Sequence, residues 1–150
     1  MYKVTLNSVE ETNSIALKLG QAINGHAVIL LTGDLGAGKT TFTKGLAKGL
    51  GVKEIVNSPT FTILKEYHSG RLPLYHFDAY RLEDGYEDLG FGEYIDSDAL
   101  SVIEWPIYMQ EDIPEEYLEI NLQYIDEQTR TIEFIPHGLA YETLCKEVLA

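Results

Sequence analysis

A glycine-rich segment at residues 33–40 has the residue types and spacing best suited to chemistry in this chain. Its sequence, GDLGAGKT, fits the pattern G-x-x-x-x-G-K-[ST]. Glycines let successive backbone amides turn toward one anion, and the positive end of a following helix favours phosphate. The pattern therefore predicts a phosphate-binding loop (P-loop) that holds a nucleotide.

Within this loop we expect Lys39 to reach the β- and γ-phosphates and the Thr40 hydroxyl to bind Mg²⁺. The expected cofactors are ATP and Mg²⁺. The residues of this segment predicted to contact the nucleotide are Asp34, Leu35, Gly36, Ala37, Gly38, Lys39, Thr40 and Thr41.

The elements on either side of the loop are those that such a motif requires. Residues 27–31 form a short continuous apolar run, which is typical of a central strand covered on both faces. After the loop, Phe42, Leu46 and Leu50 recur at helical spacing until Gly51 stops the pattern. The order is strand, loop, helix.

The rest of the chain alternates between helical and strand patterns. Ser8 begins a capping box that predicts a helix over residues 9–24, ended by Gly25. We predict further strands over residues 60–67, 74–80, 100–103, 117–124 and 131–135, and a closing helix over residues 139–149. The predicted fold class is α/β: a single P-loop NTPase-like domain over residues 1–150, with a mixed parallel and antiparallel sheet flanked by helices.

Two acidic residues are candidates for binding the metal or ordering water. Glu104 follows the apolar strand 100–103, and Trp105-Pro106 should end that strand with Glu104 at its carboxyl end. Asp78 shares a predicted strand face with His76 and Tyr80. A face with three polar groups is more often solvated than catalytic, so both interpretations of Asp78 stay open.

A threonine hydroxyl is also available between the loop helix and the next strand. Thr60, in the segment NSPTFT, has the position at which many nucleotide hydrolases sense the γ-phosphate. The alternative is an ordinary loop that enters a strand. Spacing does not choose between the two.

Composition limits the possible partners and compartment. The chain has 24 acidic and 11 basic residues, and a formal charge of −13 repels nucleic acid. Cys145 is the single cysteine and has no internal partner, which favours a reduced thiol in a cytoplasmic protein. No apolar run approaches the ~20 residues that span a bilayer, so we expect no membrane anchoring.

Four motifs occur in a fixed order along the chain: GDLGAGKTT, SPTF, HFDAYRL and VIEWP. Together they resemble the bacterial TsaE (YjeE) family of small P-loop ATPases. The resemblance implies an ATPase that supports formation of the threonylcarbamoyl group on adenosine next to the tRNA anticodon. It also implies a complex with the TsaD and TsaB proteins, with tRNA reached only indirectly.

The resemblance also implies roles for individual residues. Lys39 and the loop amides would hold the phosphates, while Thr40, Asp78 and Glu104 would surround Mg²⁺ and the attacking water. Thr60 would be the switch threonine, and Thr12 would lie near the adenine. The catalytic candidates are therefore Lys39, Glu104, Asp78 and Thr60.

Some assignments have two interpretations. Either Glu104 or Asp78 could orient the attacking water. Trp105 either shapes the phosphate side or a partner surface, or is a core aromatic residue. Arg81 either contacts phosphate or forms a salt bridge.

Other functional classes make different demands on the sequence. A small-molecule kinase would need an acceptor pocket and usually several lid arginines, whereas the chain has only Arg71, Arg81 and Arg130. A GTPase would normally carry Asn-Lys-x-Asp, and the chain has no such string. A nucleotide-gated binding module with negligible hydrolysis remains an alternative. Without an evident arginine finger, hydrolysis by the isolated chain should be slow.

Overall fold

The computed structural model describes residues 1–34, 37–57, 63–82 and 90–149, apart from the side chain of Arg81. The strands are β1 (Tyr2–Leu6), β2 (Ala27–Gly33), β3 (Leu64–Tyr67), β4 (Leu74–Asp78), β5 (Leu100–Glu104), β6 (Tyr117–Tyr124) and β7 (Arg130–His137). The α-helices are α1 (Val9–Ala22), α2 (Lys39–Leu50), α3 (Phe91–Ile95) and α4 (Leu139–Leu149). Two 3-10 helices span Ala79–Leu82 and Pro106–Asp112.

These strands form one sheet in the order β1-β7-β6-β2-β5-β4-β3. The central strands β6, β2, β5 and β4 are mutually parallel, whereas β1, β7 and β3 join antiparallel. The predicted α/β fold with a mixed sheet is therefore confirmed. Because parallel strands end at the same edge, the carboxyl ends of β2, β5 and β4 lie side by side.

Apolar side chains cover both faces of the sheet. On one face, alternate residues of β2 such as Ile29 and Leu31 pack with the buried sides of α1, α2 and α4. On the other face, Val28 and Leu30 pack with residues from α3 and both 3-10 helices. This two-sided burial explains why β2 is a continuous apolar run rather than an alternating one.

Helices α1 and α2 lie close together because glycines form their contact. A Cβ atom on Gly49 would lie 2.5 Å from the Leu17 carbonyl oxygen and 2.8 Å from the Gly20 Cα. At the carboxyl ends of both helices, the Arg71 guanidinium donates to the carbonyl oxygens of Gly20 (2.9 Å) and Ile23 (3.2 Å). Arg71 thus satisfies carbonyl oxygens that have no partner within the helix, and these bonds leave it unavailable as a lid arginine.

Several element boundaries differ from the sequence-based prediction. Helix α1 ends at Ala22 rather than at residue 24. The Arg71 guanidinium donates to a carbonyl oxygen of the helix's last turn. Strand β4 ends at Asp78 and not at residue 80, because the Asp78 carboxylate accepts from the Tyr80 amide and begins a 3-10 turn. Strands β5 and β7 are longer than predicted, at Leu100–Glu104 and Arg130–His137.

Other predictions are confirmed or fall outside the described residues. Strand β6, helix α4 and the end of α2 at Gly51 are confirmed. Of the predicted strand 60–67, Leu64–Tyr67 is a strand, residue 63 is a bend, and residues 60–62 lie outside the described ranges. Strand β1, helix α3 and both 3-10 helices were not predicted. In the described residues, none of the helices combines the length and apolarity needed to cross a bilayer.

Candidate functional site

Two glycines of the loop are required by its backbone. Gly33 has a φ of 147°, and a Cβ there would lie 2.1 Å from the Leu122 carbonyl oxygen of the neighbouring strand β6. Gly38 has a φ of 100° and is the N-cap of α2. Between them, the exposed Asp34 accepts at its carbonyl from the Ala37 amide (3.0 Å), while Leu35 and Gly36 lie outside the described residues. The motif glycines are thus explained by close approach and left-handed backbone.

The amino end of α2 is open to an anion. In the described part of the chain, its N-cap Gly38 offers no side-chain hydrogen bond, and no acidic residue occupies its first turn. Helix α1 is the opposite case, because the Ser8 hydroxyl accepts from the Glu11 amide and its first turn carries Glu10 and Glu11. Uncapped amides and a positive helix end make the α2 terminus suited to phosphate.

Lys39 stands at this terminus with its ammonium group in a nearly enclosed position. The side chain is 12% exposed, and Nζ donates to the Gly33 carbonyl oxygen at 3.2 Å. Nζ also lies 3.9 Å from Glu104 Oε1 and 4.9 Å from the centroid of the Trp105 ring. The positive charge therefore faces the end of β5, where Glu104 is found.

Glu104 and Asp78 lie directly opposite each other on the neighbouring parallel strands β5 and β4. Each carboxylate is held by one oxygen: Glu104 Oε2 by His76 at 2.6 Å, and Asp78 Oδ1 by the Tyr80 amide at 3.1 Å. The second oxygen of each has no hydrogen-bond donor among the described residues. Two carboxylate oxygens are thus available side by side at the carboxyl edge of the sheet.

Burial and charge perturb the titration of Asp78. Burial raises the pKa of Asp78 above its ordinary value, and repulsion from Glu104 raises it further. The Tyr80 amide, His76 and Lys39 oppose this shift. A cation bound beside Asp78 would favour its ionised form and so lower this raised pKa.

Sequence reasoning did not identify His76 as a functional candidate and left open whether its face of β4 is solvated. His76 is in fact fully buried, with Nε2 2.6 Å from Glu104 Oε2. Tyr80 does not share this strand face, because β4 ends at Asp78. A histidine between two apolar neighbours in the run LYHFD was the available signal for burial.

Trp105 lies at the edge of the site and not in the core. Its side chain is 40% exposed, and its ring contacts Lys39 and the ring of Tyr80, at 5.1 Å between centroids. Trp105 has a φ of 57°, the one positive value at a non-glycine residue in the described ranges. This turn ends β5 as predicted and directs the chain into the 3-10 helix that begins at Pro106.

A cavity of about 380 Å³ adjoins the loop, and Lys39 is not among its lining residues. Thr12, which is 5% exposed, lines it together with Gly38 and Thr41. The remaining lining residues are Asn7, Ser8, Val9, Ala37, Glu127, Gln128 and Arg130. The structure thus brings Thr12 and Thr41 to one cavity beside the loop.

A second cavity, of about 580 Å³, begins at Lys39 and Trp105 and extends across the opposite face of the sheet. Its walls are mostly apolar, with Leu30, Ile107 and Ile113 among them, and Glu119 is an acidic group in its lining. Lys39 therefore lies between a cavity beside α1 and a cavity beside the 3-10 helix 106–112.

The donor set at the end of β4 and β5 suits a hard cation. Asp78 and Glu104 present oxygen, the ligand type that Mg²⁺ prefers, and Thr40 is the second residue of α2, next to Lys39. In the described ranges, no three His, Cys, Asp or Glu residues are grouped so as to hold a metal by themselves. Thr60 and the side chain of Arg81 lie outside the described residues, so their predicted roles stay predictions.

Comparison with known proteins places the chain in a family. The family model for the threonylcarbamoyl adenosine biosynthesis protein TsaE matches residues 6–132. The chain belongs to the TsaE family. The TsaE protein of Bacillus subtilis (strain 168) is 50% identical over 139 residues, covering 93% of this chain and 88% of the relative. The TsaE protein of Nostoc sp. is 42% identical, covering 96% of this chain and 91% of the relative.

A solved structure of the same family agrees with the fold. The crystal structure of Bacillus subtilis YdiB matches with a TM-score of 0.84 and 43% identity, covering 99% of this chain and 93% of that one. The stretch matched by the TsaE family model contains the glycine-rich loop, His76, Asp78, Glu104 and Trp105. The resemblance carried by the four sequence motifs is therefore confirmed, and the chain is a member of a family of tRNA threonylcarbamoyladenosine biosynthesis proteins.

Proposed function

We propose that this protein is an ATPase that binds ATP with Mg²⁺ and hydrolyses it slowly, as one domain over residues 1–150. The observation that carries the proposal is the position of Glu104, whose Oε1 faces Lys39 at 3.9 Å at the open amino end of α2. The ammonium group of Lys39, the amino end of α2 and the carboxylates of Glu104 and Asp78 lie together at one edge of the sheet. Phosphoryl transfer to water requires this combination.

The nucleotide would extend along the loop from one cavity to the other. Its adenosine would occupy the cavity lined by Thr12 and Thr41, and its phosphates would lie against the amino end of α2. Lys39 would then exchange the Gly33 carbonyl for the phosphates. Thr40 and Asp78 would hold Mg²⁺, which supplies charge neutralisation on the phosphate oxygens, and Glu104 would lie beside the metal on the side of the attacking water.

Glu104 is the stronger candidate for orienting the attacking water. Its Oε1 faces Lys39, and its Oε2 is already held by His76, so the free oxygen has a fixed direction. Asp78 is more exposed than Glu104. Its pKa is raised by partial burial and by repulsion from Glu104, and a bound cation would offset both effects, so we assign Asp78 to the metal. Water held by Glu104 would attack the γ-phosphate, while the loop amides and Lys39 stabilise the transferred charge.

The proposed biological role follows from the family. We propose that hydrolysis supports formation of the threonylcarbamoyl group on adenosine next to the tRNA anticodon, in the cytoplasm and in complex with TsaD and TsaB. The charge of −13 favours docking on a basic protein surface over direct contact with tRNA. Among the described side chains, Arg71 is bound to helix carbonyls and so cannot serve as an arginine finger, which favours stimulation by a partner.

The test is ATP hydrolysis by wild type, Lys39→Ala and Glu104→Gln, with and without TsaD, TsaB and tRNA. Glu104→Gln should lower kcat by roughly 10²–10⁴-fold while ATP still binds, the scale expected for loss of a general base. Lys39→Ala should also weaken ATP binding. Lys44→Ala, at an exposed position on the same helix, is the matched control and should hydrolyse ATP at the wild-type rate.

Two results would contradict the proposal. ATP binding without hydrolysis in any combination of partners would favour a nucleotide-gated binding module instead. Equal rates with and without TsaD and TsaB would contradict stimulation by the complex.

A further inference from the structure

The least expected group near the site is the buried imidazole of His76. It is fully buried in strand β4, which β5 separates from β2, the strand that leads into the phosphate-binding loop. Its Nε2 lies 2.6 Å from Oε2 of Glu104. Its other ring nitrogen, Nδ1, is buried and has no hydrogen-bond partner among the described residues.

The contact with Glu104 determines which ring nitrogen carries the hydrogen. A carboxylate oxygen accepts, so Nε2 must donate; the opposite tautomer would set a nitrogen lone pair against the carboxylate at 2.6 Å. Nδ1 is left without a hydrogen-bond partner among the described residues, which is unfavourable in a buried position. An apolar side chain would avoid this cost, so packing alone does not explain a histidine here.

What the histidine supplies is a fixed direction for one carboxylate. His76 on β4 holds Oε2 of Glu104. The other oxygen, Oε1, is therefore directed toward Lys39, whose Nζ lies 3.9 Å away. The rotamer of Glu104 is therefore set by a group that does not line either cavity beside the loop.

We propose that His76 is a positioning residue: its Nε2–H fixes the Glu104 carboxylate so that Oε1 is directed at the attacking water. The inference rests on the proposed ATPase function and adds a residue to it. Because His76 contacts Glu104 and lines neither of the two cavities beside the loop, its loss should lower kcat and leave the affinity for ATP unchanged. Partners that orient a ligating or catalytic carboxylate commonly contribute about 10–100-fold to activity.

The test compares three replacements that differ in where they place an N–H group. His76→Gln can place an amide N–H near the position of Nε2, His76→Asn is too short to do so, and His76→Leu removes the donor. We expect kcat to fall roughly 10–100-fold in the Asn and Leu variants and the Gln variant to recover most of that loss. The dissociation constant for ATP should stay within about twofold of wild type in all three, since the loop residues are unchanged.

A second histidine controls for the loss of an imidazole ring that contacts the protein elsewhere. His26 is exposed, and its Nε2 lies 2.9 Å from the backbone carbonyl of Ile95. His26→Leu should leave kcat at the wild-type value. Thermal unfolding of every variant, measured in the assay buffer, ensures that rates are compared only between folded proteins.

A second measurement does not depend on hydrolysis. Long-range ¹H–¹⁵N correlation spectra of the nucleotide-free protein should show a hydrogen on Nε2 of His76, its signals being assigned by their loss in His76→Gln. A ring without a hydrogen on Nε2 would overturn the proposal, as would equal loss of kcat in the Gln and Leu variants or weakened ATP binding in both. A wild-type protein that binds ATP without hydrolysis would instead refute the ATPase proposal, while the spectra still report the His76–Glu104 contact.

Discussion

The ammonium group of Lys39 lies 4.9 Å from the centroid of the Trp105 ring, and the same nitrogen donates to the carbonyl of Gly33. Both contacts hold the charge at the place where a γ-phosphate is proposed to bind. Since phosphate would compete for the same ammonium, nucleotide binding should change the surroundings of Trp105.

Trp105 should therefore report ATP binding by its fluorescence. It is the only tryptophan of the chain, so the signal comes from one site. We expect a saturable change in emission on titration with ATP and Mg²⁺, because the cation over the ring is withdrawn. Lys44→Ala should show the same change and Lys39→Ala a much smaller one; unchanged emission at saturating ATP would contradict the prediction.

Asp78→Asn should stabilise the nucleotide-free protein at neutral pH while impairing hydrolysis. The folded-state pKa of Asp78 is raised, chiefly by burial, so ionisation is less favourable in the native than in the unfolded state. Stability from this group is therefore present below the unfolded pKa of ~3.9 and is lost as pH rises through the raised folded value. Because the side chain is only partly buried, we expect a gain in Tm of only roughly 1–2 °C at pH 7.

The gain from Asp78→Asn should shrink as pH falls toward 4, where wild-type Asp78 becomes protonated in the folded state. Thermal unfolding at both pH values checks this. Glu111→Gln, at an exposed position, controls for removing one charge from a chain of −13. A gain that is equal at both pH values would contradict the cause given.

Gly49→Ala should destabilise the protein although alanine favours helix. The added Cβ would lie 2.5 Å from the Leu17 carbonyl oxygen and force α1 and α2 apart. Overpacking of this kind costs about 1–3 kcal/mol in free energy of unfolding, more than the ~1 kcal/mol gained in helix propensity.

The matched control is Gly92→Ala in helix α3, where a Cβ meets nothing nearer than 3.6 Å. This variant should be neutral or slightly more stable than wild type. Denaturant unfolding of both variants measures the change in the free energy of unfolding. A Gly49→Ala protein as stable as wild type would show that the helices can separate without cost.

Cys145 should resist alkylation in the native state. It is 1% exposed in α4, and burial is the main cause that raises its pKa to about 11, so little thiolate exists at pH 8. Iodoacetamide should modify it slowly in buffer and rapidly in denaturant. Equal rates in the two conditions would mean that α4 does not stay packed on the sheet.

Local patterns were enough to predict the elements that carry the loop. Ser8 does cap α1, the run at β2 is buried on both faces, and Gly51 does end α2 with a φ of 82°. In each case the signal lies within a few residues of the element it determines. Strand β1 had a comparable signal in the alternation of Tyr2, Val4 and Leu6, but as an edge strand it depends on its pairing with β7.

The geometry of the site depends on strand order, which no local pattern encodes. Asp78 and Glu104 become neighbours only because β5 lies between β2 and β4 in the sheet. The same neighbourhood turns His76 from an apparent surface residue into a buried partner of Glu104. Sequence reasoning could propose each carboxylate separately, but not the group that holds one of them.

The backbone at Trp105 has a consequence for the evolution of this protein. A tryptophan with a φ of 57° is held in a conformation that costs about 1–2 kcal/mol and that glycine adopts freely. The strain released by Trp105→Gly must be weighed against the loss of the ring's contacts with Lys39 and Tyr80. A library selected only for thermal tolerance would measure which of the two is larger, and retention of tryptophan would show that these contacts outweigh the strain.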